Sequence, residues 1–215
     1  MANRASNYWK VIGVAGALAG LVAWPGTGQA QLDLGGILPP ILPGPAPTTA
    51  TGQASVATAS VLGNVTSLVD TGTLTDPSEP LGAGLPLGSI PGLLTAESLH
   101  AVTMGWTDQV ASEASLSNLA MSVAGTGVSA DFIQSRALAA SGAVPSGLTS
   151  IEGLTIGGVP VSATGAPNQA ISLAGLNVIL NEQIQSASGI VVNALHVTTP
   201  DGLTNVVVGT ANAGI

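Results

Sequence analysis

Past residue 30 the chain holds a single tryptophan, Trp106, a single phenylalanine, Phe132, and no cysteine. Neither aromatic rings nor disulfides can hold its fold together. The interior must be built from Val, Leu, Ile and Ala, each of which buries less than a ring, so its layers should be thin and closely spaced. These aliphatics are interleaved with Thr, Ser and Gly in short alternating runs, the period of a half-buried strand.

Val191-Val192-Asn193-Ala194-Leu195-His196-Val197-Thr198 and Asn205-Val206-Val207-Val208 read as strands around the turn Thr199-Pro200-Asp201-Gly202. Strict alternation puts Ala194 and His196 on one face and Asn193, Leu195 and Val197 on the other. Leu154-Thr155-Ile156 and Val159-Pro160-Val161 flank Gly157-Gly158, a two-residue hairpin signal.

Two internal likenesses extend this plan. Leu94-Thr95-Ala96-Glu97-Ser98-Leu99-His100-Ala101 parallels Val128-Ser129-Ala130-Asp131-Phe132-Ile133-Gln134-Ser135. A second pattern, aliphatic, any, Gly or Asn, Leu, any, aliphatic, recurs at Leu116–Met121, Ile151–Ile156 and Leu173–Val178, and its Gly or Asn suits a bend or bulge. The spacings are unequal, which disfavours a regular solenoid. Residues 129–141 also fit a helix capped by Ser129 and stopped by Gly142. The parallel with Leu94–Ala101 favours a strand, with Phe132, Gln134 and Arg136 on one face.

The N-terminus has the three parts of a secretory leader. Arg4 and Lys10 precede an uncharged run, Val11 to Trp24, then Pro25-Gly26 and the small residues of Gly28-Gln29-Ala30. Cleavage is expected after Ala30. The run is shorter than a membrane span needs, and Gln31 stands where a lipoprotein has cysteine. Residues 31–53 carry Pro39, Pro40, Pro43, Pro45 and Pro47 and are expected to be an extended or disordered linker. One domain is expected over 54–215, interrupted by a Pro/Gly-rich loop from Asp76 to Pro91.

Without the leader, one cation, Arg136, faces eleven carboxylates, a formal charge of −10. Such a surface cannot capture nucleic acid and has no affinity for an anionic membrane. Any closely apposed partner must bring cations, divalent ions or apolar contact. Self-repulsion opposes assembly through exposed strand edges, and the residues leave the oligomeric state open.

From Ala54 onward, over roughly three quarters of the chain, the sequence resembles the bacterial choice-of-anchor P family. The likeness lies in Ile151-Glu-Gly-Leu-Thr-Ile-Gly-Gly-Val-Pro-Val161, Gly165-Ala-Pro-Asn168, Leu180-Asn-Glu-Gln183, Ile190-Val-Val-Asn-Ala-Leu-His-Val197 and the closing Asn205 to Ile215. The resemblance implies an exported surface module without established catalysis. The family's anchored members continue into a C-terminal anchor that this sequence does not show, which leaves both wall association and free secretion open.

Candidate sites are few. His100 and His196, with Glu97 or Glu182, are too few and too scattered for a zinc site. Asp70, Asp76 and Glu79 form the best candidate calcium loop, although their spacing matches no known calcium motif and a solvated acidic loop is the plainer reading. Trp106, beside Asp108, is the one residue suited to a sugar platform; core packing is its plainer role. Asn181-Glu182-Gln183 and Asn193 are expected to fix turns and strand ends. No nucleophile elbow, phosphate loop or dinucleotide fingerprint occurs, and no cofactor is implied. Arg136 is expected to be solvated or paired with Asp131.

The fold expected is all-β: two packed antiparallel sheets, with an irregular solenoid or open curved sheet as the alternative. An outer-membrane barrel is disfavoured by the lack of aromatic girdles. The function expected is a secreted or cell-surface structural or interaction module, not an enzyme, whose partners are wall or matrix components or another surface protein. An adhesin-like carbohydrate- or calcium-binding module is the alternative, and an exported hydrolase a remote one.

Overall fold

The alternating runs all become strands. A computed structural model of the protein describes residues 50–76, 80–173 and 175–215, so the expected leader, most of the proline-rich stretch and Glu79 lie outside the described residues. The described residues belong to one compact unit, residues 45–215. They form an antiparallel β-sandwich without helix.

Its first sheet is ordered β10 (Gln169–Leu173), β11 (Leu176–Gln185), β12 (Gly189–Thr198), β13 (Thr204–Gly214), β1 (Thr51–Val61), β2 (Asn64–Asp70). Its second sheet is a meander of β3 (Leu81–Ile90), β4 (Leu94–Gly105), β5 (Gln109–Val123) and β6 (Thr126–Ala140). Beyond β6, β7 (Ser146–Glu152) and β8 (Thr155–Ile156) pair with successive parts of that strand, and β9 (Val159–Pro160) closes the sheet. Residues 129–140 are thus strand. The expected hairpin stands between β8 and β9, with Gly157 and Gly158 both left-handed at φ 60° and 78°. That is the backbone a primed turn requires.

Two boundaries differ from expectation. β1 begins at Thr51, inside the stretch read as linker, because residues 51–54 pair with residues 211–214 of β13. The supposed loop from Asp76 to Pro91 contains β3, an edge strand. An edge tolerates proline, and Pro86 falls where the β3–β4 ladder skips a pair, between Leu85↔Leu99 and Leu87↔Glu97.

The core is aliphatic, as the composition demands, with Met121 its largest exception. Its construction departs from simple alternation. In β5 the buried set is Val110, Ser112, Ala114 and Leu116, then Leu119, Met121 and Val123. In β6 it is Val128 and Ala130, then Ile133, Ser135, Ala137 and Ala139. In β13 it is Val206 and Val208, then Ala211 and Ala213. Each strand changes parity once.

The change falls at one level across each sheet. Pairing runs to Ser117↔Phe132 and resumes at Leu119↔Ala130; it runs to Asn193↔Thr210 and resumes at Leu195↔Val208. The same single skip occurs between β1 and β13, β1 and β2, and β11 and β12, without loss of register. In every skipped pair one residue is left-handed: Asn118 (φ 49°), Gly209 (φ 67°), Val69 (φ 53°) or Asn181 (φ 49°). Gly153 (φ 64°) does the same between β7 and β8, and Ser98 (φ 50°) in β4. A left-handed residue in an extended strand turns the following side chains over, so both halves of each strand keep their apolar set inside.

The corrected faces follow. Ala194, Leu195 and Val197 point inward, whereas Asn193 and His196 point outward. A buried polar bridge also ties the sheets: Thr103 Oγ1 and Ser112 Oγ lie 2.7 Å apart, and Ser112 Oγ donates to the Asn212 carbonyl at 2.6 Å.

Gly209 tests the skipped level. A Cβ there would lie 3.1 Å from the Ala194 Cβ and 3.4 Å from the Ile133 Cγ2 of the facing sheet. Left-handed strain adds to this crowding, so Gly209→Ala is expected to lose about 2–4 kcal/mol in urea unfolding. Gly125→Ala, strained at φ 79° but with open space around it, should lose only about 1–2 kcal/mol.

The β12–β13 turn carries a pH signature. Asp201 Oδ1 accepts from the Thr199 hydroxyl at 2.6 Å and from the Leu203 N–H at 3.0 Å. These bonds, the hydroxyl's first, hold its carboxyl below the ordinary value of 3.8. A depressed folded pKa contributes stability that is present above the unfolded value and is lost as pH falls through the folded one. Urea midpoints of the wild type should therefore fall below pH 3.8 more steeply than those of Asp201→Asn.

Candidate functional site

The two outer faces of the sandwich differ in chemistry. On the first sheet, the skipped level brings outward residues of neighbouring ranks together. Glu182, opposite Asn193 in the ladder, follows the left-handed Asn181. Its Oε2 accepts from Asn193 Nδ2 at 2.6 Å and from His196 Nδ1 at 2.9 Å. Thr210 Oγ1 donates to Asn193 Oδ1 at 2.9 Å, and His196 Nε2 lies 3.1 Å from Asn205 Oδ1. The carboxylate calls for a proton on His196 Nδ1. Glu182, Asn193, His196, Asn205 and Thr210 thus link β11, β12 and β13 in a cross-strand pin.

Asn181 and Gln183 act mainly on the backbone, as expected. Asn181 Nδ2 donates to the Gly165 carbonyl at 2.8 Å, and Gln183 Nε2 to the Gly147 carbonyl at 3.1 Å. Glu182 and Asn193 instead bond to side chains. Their role was hidden by the strict alternation that placed Asn193 and His196 on opposite faces.

The sequence candidates for a metal are not brought together. His100 projects from the outer face of the second sheet and His196 from that of the first. Glu97 accepts from Asn118 Nδ2 at 2.8 Å. Asp70 ends β2, where Gln53 Nε2 reaches both its oxygens at 3.0 and 3.1 Å and the Gly72 N–H donates at 2.6 Å. Asp76 lies in the following loop, and Glu79 lies outside the described residues. Among the described residues no group of three or more His, Asp or Glu side chains is placed to hold a metal ion.

The outer face of the second sheet carries an open groove of about 400 Å³. Its walls are Val102 and Met104 of β4, Ala111 of β5, Leu138 of β6 and Leu148 of β7. Leu138 and Leu148 are 41% and 60% exposed. Glu113 and Arg136, cross-strand partners, lie in the same groove, and Arg136 Nε donates to Glu113 Oε2 at 2.8 Å. Gln134 Nε2 occupies the other oxygen, Oε1, at 2.8 Å. Arg136 is therefore paired with Glu113 and not with Asp131, because the β5–β6 register sets it directly opposite Glu113.

Trp106 is not a core residue. It is 44% exposed in the β4–β5 turn, two residues beyond Met104, where its N–H donates to the Gln109 carbonyl at 2.7 Å. The nearby β6–β7 loop exposes Val144. Further apolar recesses lie at the other end of the strands, around Pro91 and Leu93, with no ionisable group in their walls. Sequence reasoning missed the groove, since Val102, Ala111, Leu138 and Leu148 are ordinary strand aliphatics until the register aligns them.

The pin on the first sheet is testable by stability. Glu182→Ala strips Asn193 Nδ2 and His196 Nδ1 of their acceptor, and thermal unfolding should show a loss of about 1–3 kcal/mol. Glu182→Gln keeps an acceptor oxygen and should lose less. Comparison of the chain with protein-family models, with characterised proteins and with solved structures gave no match.

Proposed function

We propose that this is an exported, non-catalytic interaction module of a bacterial cell surface, which engages its partner through the outer face of the second sheet. The observation that carries the reading is the open groove of the second sheet, where exposed Leu138 and Leu148 converge with Val102 and Met104. The first sheet also exposes Val65 and Ile184, but these stand on β2 and β11, with three strands between them. Exposed apolar surface rimmed by polar groups marks contact with another molecule. The three-part leader, the proline-rich stretch after it and the likeness to choice-of-anchor P domains support an extracellular setting. Wall or matrix components and other surface proteins are the partners this reading calls for.

A second reading, contact with carbohydrate, draws on the exposed ring of Trp106 beside the groove. It asks for loss of glycan-array signal in Trp106→Ala, whereas the protein-contact reading asks for none.

Fractionation of the producing cells, with and without chelator, tests the proposal. The mature protein is expected in the wall and medium fractions. Leu148→Ser should shift it from wall to medium without lowering its yield. Recovery in the cytoplasm with the leader attached would overturn the reading, as would hydrolytic turnover by the purified protein.

A further inference from the structure

We infer that the partner of this face is a basic polypeptide segment with an apolar end, bound in extended form along the strands of the second sheet. This rests on the reading of the chain as an interaction module and names the chemistry of its partner.

The registers order the outward residues into ranks across β4, β5, β6 and β7. Met104, Ala111 and Leu138 form the first, and Val102, Glu113, Arg136 and Leu148 the second. His100, Ser115, Gln134 and Ser150 form a polar third rank. Glu97, Ser117, Phe132 and Glu152 form the fourth, with Asp131 at the skipped level beside it. The face is thus apolar at one end and acidic toward its middle. Leu148 and Glu152 are four residues apart on β7, about 13 Å at the rise of a strand.

Charge selects the occupant. The described residues hold nine carboxylates and one cation, Arg136. Four of the nine, Glu97, Glu113, Asp131 and Glu152, belong to this face, and Arg136 offsets Glu113 alone. Asn118 gives Glu97 a neutral donor, which leaves its charge in place. Glu97, Asp131 and Glu152 are all exposed. A second copy of the chain would bring like charge against like. An aliphatic anion would meet a guanidinium already held by Glu113, with uncompensated Glu97, Asp131 and Glu152 further along the face. A segment that seats aliphatic side chains in the groove and lays Lys or Arg over Glu97, Asp131 and Glu152 satisfies both ends of the face.

The test uses a fluorescent probe peptide of about nine residues. It carries leucines at alternate positions of one end and lysines at alternate positions of the other, in a Ser/Gly background, and is titrated into the purified chain by anisotropy. Saturable binding is expected, weakened about tenfold or more in about 0.5 M NaCl. Leu148→Ser should lower affinity about tenfold. Glu97→Gln with Glu152→Gln should lower it severalfold and flatten the salt dependence. These three side chains are exposed, and unchanged urea midpoints confirm the variants' fold. Peptides with glutamate for lysine, or serine for leucine, should not bind.

Equal binding of the glutamate peptide, no saturable binding of the lysine peptide, indifference to Leu148→Ser, or dimerisation through the groove would each overturn the inference. If the lysine peptide fails while Leu148→Ser still releases the protein from the wall, the module reading stands and the basic partner falls. If both are unaffected, both fall.

Discussion

Everything in this sandwich depends on one level in each sheet where the ladder skips a pair. Strands of up to fifteen residues built from small aliphatics have little with which to enforce an inside and an outside. Here each long strand changes the parity of its buried set once, and its neighbours change with it at the same height. A single strand doing so alone would lose register with both neighbours. When adjacent strands do so together, pairing resumes unshifted, and the apolar halves on either side face the opposite sheet. The residues that make the turn bear its cost unequally. Gly209 and Gly153 adopt it freely, Asn118 and Asn181 with little strain, and the β-branched Val69 at a real expense, held by its packing against the core.

The same level accounts for the chemistry of the first sheet's outer face. Asn193 and His196 are separated by two inward residues, Ala194 and Leu195, yet share one carboxylate. An uninterrupted strand could not present both to Glu182. The pin is therefore a product of the parity change, and it guards the level that creates it. Thr210 and Glu182 lie immediately beside Gly209 and Asn181, so their hydrogen bonds with Asn193 tie β13 and β11, each with one left-handed residue, across β12.

The fold class was legible because it follows from composition: without rings or disulfides, alternating Val, Thr, Ala and Gly have few other ways to bury themselves. The Gly157-Gly158 hairpin and the Thr199–Gly202 turn were legible because their backbones demand those residues. The repeated Gly-or-Asn pattern located Asn118 and Gly153 as bends, and both are left-handed. The paired motifs at Leu94 and Val128 favoured strand over helix for residues 129–141, and β4 and β6 run through them. What could not be read was the parity change at Val69, Asn181 and Gly209, where no local pattern separates a bend from a continuing strand. Strict alternation then misplaced Asn193 and set Leu195 and Val197 on the wrong side of Ala194. The groove was hidden for a different reason. It joins side chains from four strands, and only their register makes them neighbours.

The pairing of β1 with β13 has a consequence for how the molecule comes into being. The second sheet is a run of successive hairpins whose pairings, that of β6 with β8 apart, are all between neighbours in sequence. The first sheet is assembled from the two ends of the described chain, with the last strand seated between β12 and β1. The β1–β2 hairpin emerges first and must wait, one long edge open, while the whole second sheet is made. The edge of β1 that pairs with β13 has no partner until β13 arrives. Closure of the sandwich is a late, non-local event of the kind that sets slow folding rates. A chain built this way keeps its first sheet open until Thr204–Gly214 is free to pair on both sides.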